Sequence, residues 1–299
     1  MLMELPCFGD EPVAGRATTR CRHVASLVVA LACAVSMSSC ALPLASPSNV
    51  AAVQVVAHRG ASLVCPENTL AAFRRAVQGG ADVVEFDVYQ TRDGHWVCMH
   101  DATCDRTSDA RELFGRAKVR VDQLTLADVQ RLDAGRWFAP QFAGERVPTL
   151  EQALAAIAPA TPMIERKAGD ALQLVAELQR LDRVEDVIVQ SFDWSWLAQV
   201  SAAEPRLLLA ALAGGQPTPE RLIALEETGA KIVHWRYDRV TRAMADAVHA
   251  SGRRLCVYTV DLDMAFYGAV AIGCDLVTTN RPVYYVAERA KGRFVSPQR

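Results

Sequence analysis

Four short runs in the sequence carry residue types able to move protons or hold a cation: His58-Arg59, Glu85-x-Asp87, His100-Asp101 and Glu165-x-Lys167. Residues two apart on an extended strand project from one face. Glu85 and Asp87 therefore point together, as do Glu165 and Lys167. Burying three carboxylates side by side is prohibitive unless positive charge compensates, and Lys167 and Arg59 offset only part of it. An all-oxygen trio with no clustered cysteine and no third histidine suits a hard ion, Mg²⁺ or Ca²⁺, rather than zinc. The competing reading is a salt-bridge network of the same carboxylates with Arg59 and Lys167. A cation beside two histidines and two cationic side chains suits an anionic substrate that needs a proton transfer on each side. A phosphodiester meets that description: one imidazole accepts the nucleophile's proton and the other protonates the leaving alkoxide.

The elements that must position these groups are legible as apolar, β-rich runs at 53–57, 83–88, 96–99, 163–166, 187–190, 206–210, 231–234, 254–259 and 276–278. Segments with helical spacing, such as 69–78, 150–157, 171–181, 219–227 and 239–250, lie between most of them. Strand–helix alternation of this length predicts parallel βαβ units, and continuous apolar strands predict a sheet covered on both faces. The third run breaks the pattern. Only a few residues around Asp93-Gly94 precede it, too few for a parallel crossover, and Asp-Gly favours a tight hairpin. Run 96–99 is therefore expected to be antiparallel, leaving eight parallel strands: an α/β fold, a (β/α)8 TIM barrel, with a small subdomain inserted at about 102–148. With Asp93 and Gly94 as the two turn residues, position 92 pairs with 95 and Asp87 lies opposite His100, Cβ atoms roughly 5 Å apart. Active sites of such barrels lie at the C-terminal strand ends, where all four runs fall.

Net charge is −2 and no basic patch with interleaved aromatics is present, which disfavours nucleic acid as a partner. Arg16, Arg20 and Arg22 precede an apolar run at 24–37, the order of a secretory leader. That run is too short to span a bilayer comfortably. Ser38-Ser39-Cys40 closes it in the manner of a lipoprotein processing site, with Met37 where leucine is usual. Export to the periplasm, or a membrane tether through lipidated Cys40, is expected. Cleavage near Ala45 is the alternative. Residues 1–49 thus form leader and linker, 50–290 the barrel and 291–299 a tail. Four of nine cysteines lie in the leader. The other five are odd in number and lack zinc spacing, although Cys65 and Cys104 could pair in an oxidising compartment.

His58-Arg59-Gly60, Pro66-Glu67-Asn68-Thr69 with Phe73, Glu85-x-Asp87, Thr91-x-Asp93-Gly94 and His100-Asp101 together resemble the glycerophosphodiester phosphodiesterases. The likeness continues through Arg106-Thr107, Trp137-Phe138, Val147-Pro148-Thr149-Leu150-Glu151, Glu165-x-Lys167 and Gln190-Ser191-Phe192. This resemblance implies His58 and His100 as the acid/base pair, and Glu85, Asp87 and Glu165 as ligands of one divalent cation. It implies phosphate contacts from Arg59 and Lys167, and attack by a substrate glycerol hydroxyl through a cyclic phosphate. The chain departs from the family at Tyr258-Thr259-Val260-Asp261, where Trp-Thr-Val-Asn is common, and at Thr279-Asn280-Arg281-Pro282, where Thr-Asp is common. Neither departure is expected to touch the acid/base or metal set. Phe192, Trp235 and Tyr258, at strand mouths, are candidate substrate-lining residues. A lysophospholipase D-like activity is the nearest alternative. A non-catalytic surface adhesin is another, and would be expected to have lost a catalytic group.

Overall fold

The computed structural model describes residues 52–294; the apolar run at 24–37, Cys40 and the end of the C-terminal tail lie outside them. β1 (Gln54–Ala57) is followed by α1 (Leu70–Gln78), β2 (Val83–Gln90) and β3 (Trp96–Cys98). The short helices α2 (Ala110–Phe114) and α3 (Leu126–Val129) precede α4 (Leu150–Ile157). Alternation then runs through β4 (Thr161–Ala168), α5 (Ala171–Arg180), β5 (Ile188–Ser191), α6 (Trp194–Ala203), β6 (Leu208–Ala213) and α7 (Pro219–Ala224). It ends with β7 (Ile232–Arg236), α8 (Arg242–Ala250), β8 (Arg254–Tyr258), α9 (Asp263–Ala271), β9 (Leu276–Thr279) and α10 (Pro282–Ala290). All strand pairings are parallel except β2–β3, and β1 pairs with both β2 and β9, so eight strands close on themselves. The fold is a (β/α)8 barrel with β3 hung on the outside of β2. Among the described residues, no helix is long and apolar enough to cross a membrane.

Each barrel strand sends one apolar side chain into a single interior cluster: Val56, Val83, Met163, Ile188, Ala210, Ile232, Cys256 and Leu276. The outward faces pack with the helices into the main core, around Phe73, Phe86, Ile164, Val233 and Trp235. Between β3 and α4 the chain gathers a separate cluster that includes Val97, Cys104, Val119, Leu132 and Val147. The helices begin where the sequence supplies caps. Thr69, Thr149, Asp170, Asp193, Thr218 and Thr241 each accept a backbone N–H of the first turn.

Two expectations need correction. The hairpin register is Val88↔Cys98 and Gln90↔Trp96, and the Met99 amide donates to Asp87 O (3.1 Å), so Asp87 faces Met99 rather than His100. The turn holds three residues, Arg92-Asp93-Gly94, closed by Thr91 N–H to His95 O (2.8 Å), with Gly94 at φ +85°. A left-handed glycine at the third loop position is the signature of this longer turn. The Thr91 hydroxyl completes it by accepting from the His95 amide (2.9 Å). The second correction concerns Cys65 and Cys104, which are both buried free thiols and form no bridge. Cys104 is built into the cluster between β3 and α4, where burial pushes its thiol to about 12.

Candidate active site

Two residues beyond each member of the interior apolar cluster, every strand places another side chain on the same inner face. These are His58, Glu85, Glu165, Gln190, Leu212, His234, Tyr258 and Thr278, and all eight line one cavity of about 190 Å³. Arg59, His100, Lys167 and Phe192 complete its walls. The parity of a strand thus turns an apolar floor into a reactive layer above it.

Glu85, Asp87 and Glu165 are buried, and one oxygen from each lies within 4.8 Å of the others. Their surroundings are cationic. The Lys167 ammonium lies 3.1 Å from Asp87 Oδ1 and hydrogen-bonds Glu165. Arg59 donates its backbone amide to Glu85 Oε2 (2.8 Å) and holds its Nε 3.4 Å from Asp87 Oδ2. Asn68 clamps Asp87 twice, Nδ2 to Oδ2 (2.8 Å) and Oδ1 from the Asp87 amide (3.1 Å). Burial, with the charges of Asp87 and Glu165, raises the Glu85 carboxyl well above its ordinary range. Burial and Asp87 likewise push Glu165 up to about 7. Burial also acts upward on Asp87, but Lys167, Arg59 and His100 outweigh it and hold that carboxyl low.

Among the described residues, two buried side-chain polar atoms lack a hydrogen-bond partner: Asp87 Oδ1 and Arg59 Nε. The Lys167–Asp87 contact is an ion pair without hydrogen-bond geometry. Buried polar groups are rarely left unmet, and here an acceptor and a donor are both left so beside one cavity. The acceptor, in an all-oxygen set whose other two carboxyls are raised by burial and mutual repulsion, fits a hard divalent cation. The donor fits an anion.

The two predicted histidines are anchored differently. His58 Nδ1 meets Asn280 Oδ1 at 2.7 Å, whereas His100 Nδ1 meets the Asp101 carboxylate at 2.7 Å. Enclosure by protein, reinforced by Arg59, lowers His58 to about 4. Asp101 is itself gripped by Arg106, which with His100 holds its carboxyl at about 2. Arg106 then reaches Glu67 (2.7 Å), and Glu67 reaches Arg59 (2.8 Å). A continuous polar chain therefore joins His100 to the carboxylate cluster. Glu67, quoted above only within a motif, is thus the link between Arg106 and Arg59, a use that shows only once the arginine on the segment after β3 is placed.

Of the rim aromatics, Tyr258 and Phe192 line the cavity edge to face, ring centroids 6.1 Å apart. Trp235 does not reach it. It is fully buried on the outer face of β7, donates to Gly215 O (2.7 Å) and packs on Trp194. Its neighbour His234 points inward instead, its Nδ1 on Gln190 Oε1 (2.7 Å) and its Nε2 on Thr278 Oγ1 (3.0 Å). Counting two residues on from Ile232 would have found it. The expectation that the C-terminal departures leave the acid/base pair untouched is also corrected, because Asn280 is the residue that holds His58.

A scan against known families matches residues 58–284 to the Glycerophosphoryl diester phosphodiesterase family. The chain is 34% identical to a glycerophosphodiester phosphodiesterase of Caldanaerobacter subterraneus subsp. tengcongensis over 76% of its length and 94% of that protein's. It is 32% identical to a glycerophosphodiester phosphodiesterase of Bacillus subtilis over 77% and 84%. The crystal structure of glycerophosphodiester phosphodiesterase from Agrobacterium tumefaciens superposes with a TM-score of 0.68 at 29% identity, covering 79% of this chain and 99% of that one. An Oleispira antarctica phosphodiesterase in complex with the product sn-glycerol-3-phosphate is similar at a TM-score of 0.71 and 26% identity, covering 80% and 97%.

Proposed function

From the premise that the chain belongs to the glycerophosphoryl diester phosphodiesterase family, we propose that it hydrolyses glycerophosphodiesters to an alcohol and glycerol 3-phosphate. One observation carries the reading: a single cavity gathers His58, His100, Arg59, Lys167 and the buried carboxylates Glu85 and Glu165, beside Asp87. Glu85, Asp87 and Glu165 would hold one divalent cation, Mg²⁺ or Ca²⁺. Bound there, it would draw charge from the phosphoryl oxygens and make phosphorus easier to attack.

The chain's own groups do the rest. Arg59 Nε, with no hydrogen-bond partner among the described residues, offers a hydrogen bond to a phosphate oxygen, and Lys167 is close enough to shift from the carboxylates toward the same anion. One imidazole takes the proton of the attacking glycerol hydroxyl as the new P–O bond forms. The other gives its proton to the departing alkoxide as the old P–O bond breaks. Water then opens the cyclic phosphate with the two roles exchanged. The cavity is small and lined by charged and polar side chains alongside Phe192 and Tyr258, which favours a compact head group over a lipid tail, with the alcohol toward the two rings. We further propose that the chain is exported, on the strength of Arg16, Arg20, Arg22 and the apolar run that follows.

The test is release of glycerol phosphate from a panel of glycerophosphodiesters, with and without added divalent ion. Glycerophosphocholine and glycerophosphoethanolamine should be cleaved, and chelator should abolish cleavage reversibly. Turnover of lysophospholipids alone would favour the lipid-directed alternative.

A further inference from the structure

Behind His58, on the side away from the cavity, lies a second carboxylate that the proposed chemistry does not use. Asp261, just after β8, accepts the Asn280 backbone amide (2.8 Å) and the Thr279 hydroxyl (3.0 Å) on Oδ1, and the Asn280 side-chain amide on Oδ2 (2.6 Å). Arg281 fixes the Asp261 carbonyl from the other side (3.0 Å). An ionised carboxylate only accepts, so the amide of Asn280 must turn its NH₂ toward Asp261. Its Oδ1 is then obliged to face His58 Nδ1, 2.7 Å away. An amide oxygen also only accepts, so the ring proton sits on Nδ1 and the Nε2 lone pair is left bare.

We propose that Asp261 and Asn280 are positioning residues that lock His58 in the Nδ1–H tautomer and present a neutral Nε2 to the cavity as the base. Their chemistry divides the labour between the two histidines. His100 has a carboxylate directly on Nδ1, 2.7 Å away, a charged partner that suits it to donate from Nε2. His58 has a neutral amide there, with the carboxylate one bond further back, which orients the ring without inviting a proton. Two titratable groups in unlike surroundings take opposite roles. The inference rests on the phosphodiesterase reading above.

The charged and titratable groups facing His58 are Arg59 and Glu67 from the β1–α1 connection, Asp87 from β2 and neutral His234 from β7. None of these changes when positions 261 and 280 are exchanged, so the exchange isolates the partner effect. Three enzymes loaded with divalent cation are compared on glycerophosphocholine: wild type, Asp261→Asn, and the double exchange Asp261→Asn/Asn280→Asp. Asp261→Asn frees the Asn280 amide to flip, and kcat should fall about 10- to 100-fold with little change in KM. The double exchange should restore kcat to within about tenfold of wild type, because a carboxylate at 280 accepts from Nδ1 and the new amide at 261 donates to it. That carboxylate should also lift the acid limb of kcat/KM by about one to two pH units. In ¹⁵N spectra of the wild type, His58 should show a protonated Nδ1 and a bare Nε2.

A double exchange no better than Asp261→Asn, an unmoved acid limb, or a protonated Nε2 in the spectrum overturns the proposal. Wild type inactive on every glycerophosphodiester overturns instead the reading on which it rests, and the spectrum still decides the tautomer.

Discussion

At the mouth of the barrel each histidine is defined by what touches its Nδ1, and both Nε2 atoms remain available to the cavity. Replacing either imidazole with alanine should lower kcat about 10²- to 10⁴-fold. His100→Ala should leave the thermal midpoint nearly unchanged, because that side chain is 31% exposed. Activity assays paired with circular-dichroism melts separate these effects. His234 predicts the reverse pattern. Burial, with His58 nearby, holds it at about 3 against an ordinary 6.5. Below about pH 6.5 the unfolded chain binds a proton that the folded chain refuses, so stability rises with pH across this window and is lost as pH falls toward 3. The slope for one such group is about 1.4 kcal/mol per pH unit. In urea melts His234→Gln should be less stable at pH 7, yet lose stability less steeply between pH 6 and 4 by about that amount. Equal slopes for the two proteins would contradict the assignment.

At the scale of elements, the sequence reading and the structure agree where burial leaves no choice and part company where one residue of phase decides. The eight barrel strands were legible because a parallel strand covered on both faces must be apolar throughout. That same continuity hides which side faces inward, and so Trp235 was taken for His234. The hairpin failed for a related reason: Asp93-Gly94 names a tight turn but does not say whether one more residue enters it. Glu85, Asp87, Glu165 and Lys167 were safe because an acidic or basic residue inside an apolar strand betrays its own direction. Asn280 was missed because its bond to His58 spans 222 positions and depends on where β9 meets β1. That junction also shows what the motif glycine does. Gly60 sits at φ +81°, and a Cβ there would lie 2.7 Å from the Ala72 carbonyl carbon in α1. Its amide also donates to Glu85 O (3.2 Å). Gly60→Ala must strain the backbone and push α1 away, at about 3 kcal/mol in chemical denaturation. Activity should fall further than this loss of stability explains, since Arg59 and Glu85 shift together.

For the molecule as a whole, an apolar interior layer is stacked directly beneath a layer that carries three carboxylates, two of them with raised proton affinity. Such a barrel is less stable than its core would allow, and on the proposed reading a divalent cation among the carboxylates should make good the deficit. A ligand that binds only the folded state stabilises it by about 2.7 kcal/mol at a hundred times its dissociation constant. For a domain of this size that corresponds to a rise of about 5–10 °C in Tm. Millimolar Mg²⁺ or Ca²⁺ should produce it and chelator should reverse it. Glu85→Gln sharpens the test. Burial and the charges of Asp87 and Glu165 raise the Glu85 carboxyl when no cation is bound, so the isosteric amide relieves repulsion in the cation-free protein and should hold its Tm within about 2 °C. The same change removes a ligand, so the response to divalent ion should shrink or vanish along with turnover. If the wild-type Tm is indifferent to both ions and chelator leaves turnover intact, the carboxylates are an ion-pair network closed by Lys167. The two histidines would then work without a cation.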